Sequence, residues 1–157
     1  MNSWIRHTVW FGRAVLLIAT LLFTMIALRN LLDPAAALAV HQITLGSAAG
    51  ITVARVGFGG FPLSFALILL ACLVAERRLL MGLALLATIA VVVTAARVLG
   101  LVLDGPAAFT LHVLKPEIGL ILLSTLGLFF ERRRTEGSTS APQPRVTAQP
   151  HAPSFEP

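Results

Sequence analysis

The sequence predicts an all-α fold, a four-helix transmembrane bundle with a disordered C-terminal tail. Three observations carry that prediction. Of 157 residues, 57% are hydrophobic and 12% charged, against about 25% charged in an average soluble domain. Mean hydropathy is +0.87. Four apolar runs come close to the roughly 20 helical residues that cross a hydrocarbon core of about 30 Å.

The first run, 14–32, is interrupted only by Arg29. It exceeds the apolar core of a signal peptide, and Arg29 stands in the usual approach to the small-residue site at 37–39. It reads as a retained helix. Asp33 and Pro34 then form a good N-cap and first-turn pair for a short interfacial helix within 34–43. The second run, 53–75, opens on "VARVGFGGFP". Gly57, Gly59 and Gly60 do not fit G-x-G-x-x-G, and no GK[ST] follows, so a nucleotide loop is poorly supported. A helix starting at Phe61 would span only about 22 Å. The second helix should therefore begin near Ala48 and bend around Pro62, which leaves the Phe58 carbonyl without its usual amide.

The third run, 79–103, contains Arg97, and the fourth, 111–130, carries Lys115 and Glu117 near its start. These four helices make one domain, 1–134. Beyond Arg134 the composition turns to Gly, Ser, Thr, Gln and Pro. Residues 135–157 cannot bury apolar surface and are expected as a disordered tail.

The formal net charge of +5 comes from arginine, since Lys115 is the one lysine. The arginines cluster at helix ends rather than in one patch, which argues against nucleic acid as a partner. Arg6 and Arg13 precede the first helix, Arg77 and Arg78 turn the second into the third, and Arg132 to Arg134 follow the fourth. With four spans these places share one side, which the positive-inside rule makes cytoplasmic, both termini included. The arginine-rich, Ala/Leu-rich composition indicates a high-GC bacterium, and so the bacterial inner membrane. The lipid bilayer is the first partner implied.

Measured at about 1.5 Å per helical residue, Arg55 lies about 30 Å from the cytoplasmic end, Arg97 about 27 Å and Glu117 about 20 Å. Asp104 and Lys115 belong at the same outer boundary, and Arg29 lies close by. Charges from four helices thus converge on one leaflet. Arg97, Gly100 and Asp104 share one helical face, which continues inward through Thr94, Ala90 and Ala87. Glu117 aligns with Ser124, and Thr20 with Thr24 and Ala27. Such stripes of small and hydroxyl residues are expected to face one another inside the bundle. Glu117 is too short to snorkel far, so pairing with Arg97 or Arg55 is expected, whereas Arg29 and Lys115 can reach headgroups. The candidate site is therefore Arg55, Arg97, Asp104 and Glu117. Gly59, Gly60, Gly100 and Gly105 are read as helix-packing glycines.

Other chemistry finds little footing. Cys72 is the sole cysteine, so neither a disulfide framework nor a cysteine metal site exists. His7, His41, His112 and His151 show no metal-ligand spacing. No Ser-His-Asp arrangement and no carboxylate pair at catalytic spacing is readable, so neither a cofactor nor a metal is expected. A non-enzyme is the preferred reading.

The segments "ARVGFGG", "ARVLGLVLDGP" and "KPEIGLILL" resemble the small bacterial four-helix membrane proteins of the domain-of-unknown-function 4345 family. The positions that carry the likeness are Arg55, Gly59, Gly60, Arg97, Gly100, Asp104, Gly105 and Glu117, within residues 14–130. Family members more often have glycine where Ala96 stands, and Gly57 is an extra glycine. The resemblance implies architecture and no settled biochemical role.

Two functional readings follow. In the first, the outer-leaflet Arg/Glu cluster binds an anionic lipid headgroup or small acid, because guanidinium groups recognise carboxylate and phosphate bidentately. In the second, the chain is a structural or partner subunit of a membrane complex, and the same charges lock the bundle or dock a neighbouring membrane protein. An enzyme using Glu117 as acid or base ranks behind both.

Overall fold

A computed structural model describes residues 3–105 and 108–139 of the chain, with side-chain placement for 10–75, 77–105 and 110–134. Every regular element among the described residues is helical. Helix α1 runs Ser3–Leu32 and the short α2 runs Pro34–Ala39. The second span is one continuous helical rod of three parts: α3 at Ala48–Ala54, a π-helical segment at Arg55–Gly60, and α4 at Phe61–Val74. A 3₁₀ turn, Glu76–Arg78, leads into α5 at Leu79–Asp104. Helix α6 spans Ala108–Thr139, so helix continues a little past 135, where the tail was expected to begin. Residues 140–157, the remainder of that expected tail, lie outside the described residues.

Four segments are long and apolar enough to cross a membrane: Trp10–Leu32, Ala48–Val74, Leu79–Asp104 and Thr110–Arg134. The chain is an integral membrane protein with a four-helix, all-α bundle.

Local chemistry explains the helix ends. Asp33 caps α2 by accepting from the Ala36 amide at 3.0 Å, with Pro34 in the first turn. Ser47 caps α3 by accepting from the Gly50 amide at 3.1 Å. The expected bend near Pro62 is resolved by register rather than by a break. The Arg55 amide reaches both Ile51 and Thr52 carbonyls, and the Phe61 amide reaches Val56. One widened turn thus absorbs the residue that cannot donate. Helix α5 stops at Gly105, whose φ of +91° is left-handed backbone that glycine adopts without a Cβ clash.

The start of α1, the 3₁₀ turn and the end of α6 lie together and are called the terminal end here; the opposite side is the loop end. The core lies toward the terminal end. Val15, Leu16 and Ala19 of α1 meet Leu69 and Cys72 of α4 and Leu79, Leu83 and Leu86 of α5. Glycines let the backbones close in. A Cβ at Gly82 would stand 2.7 Å from the Cys72 Cβ and 2.8 Å from Leu16 Cδ1. Leu83 fills the room left by two others, coming 3.3 Å from a Cβ at Gly12 and 3.0 Å from one at Gly127.

Of the glycines singled out from sequence, only Gly59 is a contact of this kind. A Cβ there would meet Leu31 side-chain atoms at 2.7 and 2.8 Å. Gly60 and Gly100 have only ordinary contact distances, and Gly105 faces open space and serves backbone geometry instead. The hydroxyl stripes also behave differently from expectation. Thr20, Thr24 and Ser124 donate to Leu16, Thr20 and Leu120 carbonyls of their own helices, each at 2.8 Å. The carbonyl one turn back offers each hydroxyl an acceptor within its own helix.

Toward the loop end the two hairpins part company. Helix α1 and the second span stay packed there, with Ala27, Asn30, Pro34, Ala37, Leu38, Ala54 and Gly59 buried. Helices α5 and α6 pack mainly on each other. No described residue of α5 beyond Ala90, or of α6 before Ser124, is buried.

Replacing Gly82 with alanine should destabilise the fold by about 1–3 kcal/mol, the range for overpacking a tight contact. Gly57→Ala, with nothing within 4 Å of its Cβ position, should stay within about 0.5 kcal/mol. Unfolding equilibria in mild detergent or bicelles measure both.

Candidate functional site

The inward stripe of α5 runs through Leu79, Leu83, Leu86 and Ala90 and reaches Arg97 two turns further on. On α6 the stripe runs backward from Gly127 through Ser124 and Leu120 to Glu117. Helical phase therefore delivers one cation and one anion to the facing sides of a single hairpin. Pro116, immediately before Glu117, cannot donate an amide to the His112 carbonyl.

Arg97 and Glu117 form a forked ion pair. Nε donates to both carboxylate oxygens at 2.9 Å, and Nη2 donates to Oε1 at 2.7 Å. The side chains retain 25% and 16% of their exposure, so the pair is half-buried. Such geometry fixes the guanidinium plane, as a lone lysine could not. The third nitrogen, Nη1, has no acceptor among the described residues. One turn before Arg97, the Thr94 hydroxyl oxygen is buried and also lacks a partner. Other threonines of the bundle, such as Thr20 and Thr88, return their hydroxyls to the preceding turn.

The four-residue cluster expected from sequence thus resolves into one pair and two separate charges. Arg55 is exposed on the π-helical segment, which packs mainly on α1. It makes no ion pair among the described residues. Glu117 pairs with Arg97 rather than with Arg55. Asp104 is exposed at the end of α5, and its carboxylate folds back over Gly100, 3.7 Å from a Cβ built there. Arg29 and Lys115 are exposed, as expected for boundary cations. Among the described residues no three His, Cys, Asp or Glu side chains gather in a way that could hold a metal.

Sequence reasoning passed over Glu131. Only 2% of it is exposed, and Arg134 donates to its Oε1 through Nε at 3.0 Å and Nη2 at 2.5 Å. The phase argument already applied to Glu117 and Ser124 would have found it, since Glu131 lies seven residues past Ser124 on the same stripe. Gly12, Gly82 and Gly127 were missed as well. Gly82 and Gly127 were small residues amid bulky apolar neighbours within a span, whereas Gly12 lies beside Arg13, just before the first run.

No family model matches the chain, and no curated protein or solved structure gives a significant match. Whatever the site does must be read from its own geometry.

Arg97→Gln and Glu117→Gln should each destabilise the bundle, and the double variant should lose less than the sum. A double-mutant cycle is expected to give a coupling of about 0.5–2 kcal/mol, given partial exposure and the modest strength of interhelical polar contacts in membranes. Additive losses would show that the pair does not act as a unit.

Proposed function

We propose that the chain is a non-enzymatic membrane module that binds an anionic oxygen group beside Arg97. The occupant class is a lipid headgroup or a small acid. The supporting observation is the state of Arg97, clamped by Glu117 along one edge while Nη1 has no acceptor among the described residues. An unmet donor within the apolar span is costly, and a ligand oxygen offsets that cost. Exposed Arg29, Arg55 and Lys115 add positive charge toward the same end. In this reading Arg97 contacts the ligand, Glu117 is a positioning residue, and Arg55 acts through field rather than contact. Asp104 limits the net positive charge.

The basic flanks support an orientation with both termini cytoplasmic, which puts the pair in the outer leaflet of a bacterial inner membrane. The resemblance to the domain-of-unknown-function 4345 family belongs to the same proposal and bears on architecture alone. A second reading, docking of a neighbouring membrane chain, draws on one different observation. The loop-end halves of α5 and α6 bury no described residue, which leaves both helices open to a partner.

Chain purified in mild detergent should carry an anionic lipid or acid identifiable by mass. Arg97→Gln should reduce its retention about tenfold, in the range for losing a charge-assisted hydrogen bond, when equal amounts of folded protein are compared. Washing with a soluble acid displaces a small acid but not a lipid, which separates the two sources. A ligand-free chain whose Arg97→Gln variant loses a co-purifying subunit would favour the docking reading. Reporter fusions at both termini test the orientation, and an extracytoplasmic C-terminus contradicts it.

A further inference from the structure

The opposite end of the bundle carries a separate feature. A crevice of about 540 Å³ opens between α1 and α4, lined by Trp10, Arg13, Ala14, Leu17, Leu73 and Val74. Four of these residues recur at helical spacing and form one face of α1. Val74 ends the second membrane-crossing stretch, and the basic turn Glu76–Arg78 follows it, so the crevice lies at the membrane boundary. Trp10, Leu17 and Val74 are 64%, 46% and 78% exposed, so it opens sideways toward acyl chains and not into the bundle. Ala14 leaves the room on the α1 side, where a larger side chain would close it.

Arg13 is the one charged residue in this lining, and its guanidinium carbon lies 5.9 Å from the centroid of the Trp10 ring. Just past Val74 the chain turns into Glu76–Arg78, where Arg77 and Arg78 are exposed and make no ion pair among the described residues. An apolar trough is thus bordered by guanidinium groups and a boundary tryptophan. Tryptophan favours the headgroup level, and basic pockets beside transmembrane helices attract anionic headgroups.

We propose that this crevice holds one acyl chain of an anionic phospholipid, with its phosphate against Arg13 and the neighbouring Arg77 and Arg78. The trough makes a lipid the occupant rather than free phosphate, which has no use for Leu17, Leu73 and Val74. The site shares no residue with the Arg97–Glu117 pair and does not depend on what that pair binds.

The test is native mass spectrometry of the full chain with equimolar phosphatidylglycerol and phosphatidylcholine of identical acyl chains. Phosphatidylglycerol should be retained about fivefold better, the size expected for one basic residue at an anionic surface. In the Arg97→Gln background, which removes any anionic lipid held at that pair, Arg13→Gln should abolish the preference and Arg13→Lys should keep it. Ala14→Phe should lower retention of both lipids by filling the trough, while a phosphatidylglycerol preference should persist in Arg97→Gln alone. If Arg13→Gln does not fold, the Arg77→Gln/Arg78→Gln double variant should reduce the preference instead, in the same background. Equal retention of the two lipids overturns the proposal. So does a preference that, in the Arg97→Gln background, survives both Arg13→Gln and Ala14→Phe, or one lost in Arg97→Gln alone. A dimer that Ala14→Phe dissociates also overturns it, since a second copy would then be the occupant.

Discussion

The architecture depends on one close contact, the Gly82–Leu83 step of α5. In a bilayer the lipid tails are as apolar as leucine, so helices associate through packing and polar contacts rather than through escape from water. Packing requires proximity, and proximity requires small residues where backbones meet. Gly82 admits Cys72 and Leu16, while Leu83 enters the spaces at Gly12 and Gly127. Two adjacent residues thereby touch α1, α4 and α6 together. The buried core, from Val15 through Leu86, surrounds that step.

Consequences follow at the other end. With the core held toward the terminal end, the hairpins need not stay together beyond it, and α5 and α6 leave the core as a pair. Their loop-end halves have each other for company, and the Arg97–Glu117 fork is the strongest polar link between them. A half-buried ion pair in apolar surroundings is less screened than one in water. The same partial exposure keeps Arg97 Nη1 available. Cohesion and availability therefore come from one geometry.

Much of this was legible in the residues. Four spans, the cap at Asp33, the start near Ala48 and the pairing of Glu117 with an arginine, Arg97 or Arg55, follow from run length, cap chemistry and helical phase. Which arginine meets Glu117 was not legible, because phase and depth are properties of one helix. How far a neighbouring helix is rotated about its own axis depends on packing, which no single stretch encodes. The π-helical segment illustrates another limit. Pro62 announces a missing amide, but the widened turn and the close approach of Gly59 to Leu31 depend on packing that the local sequence does not encode. Glu131 was overlooked through its company, since it opens the run "ERRR" and reads as a solvated helix end. Its 2% exposure shows that the inward stripe of α6 continues through it.

The central claim is a bundle packed toward its terminal end and loosely joined beyond Ala90, and two leucines of the same helix test it. Leu83 is fully buried and Leu99 is 57% exposed. Unfolding in bicelles, followed by a steric trap, should show Leu83→Ala costing about 2–5 kcal/mol, as expected when a tightly packed leucine is truncated. Leu99→Ala should stay within about 0.5 kcal/mol, as at a site without tight contacts. Comparable losses at the two positions would contradict the account, because they would place equally tight packing in the loop-end half of α5.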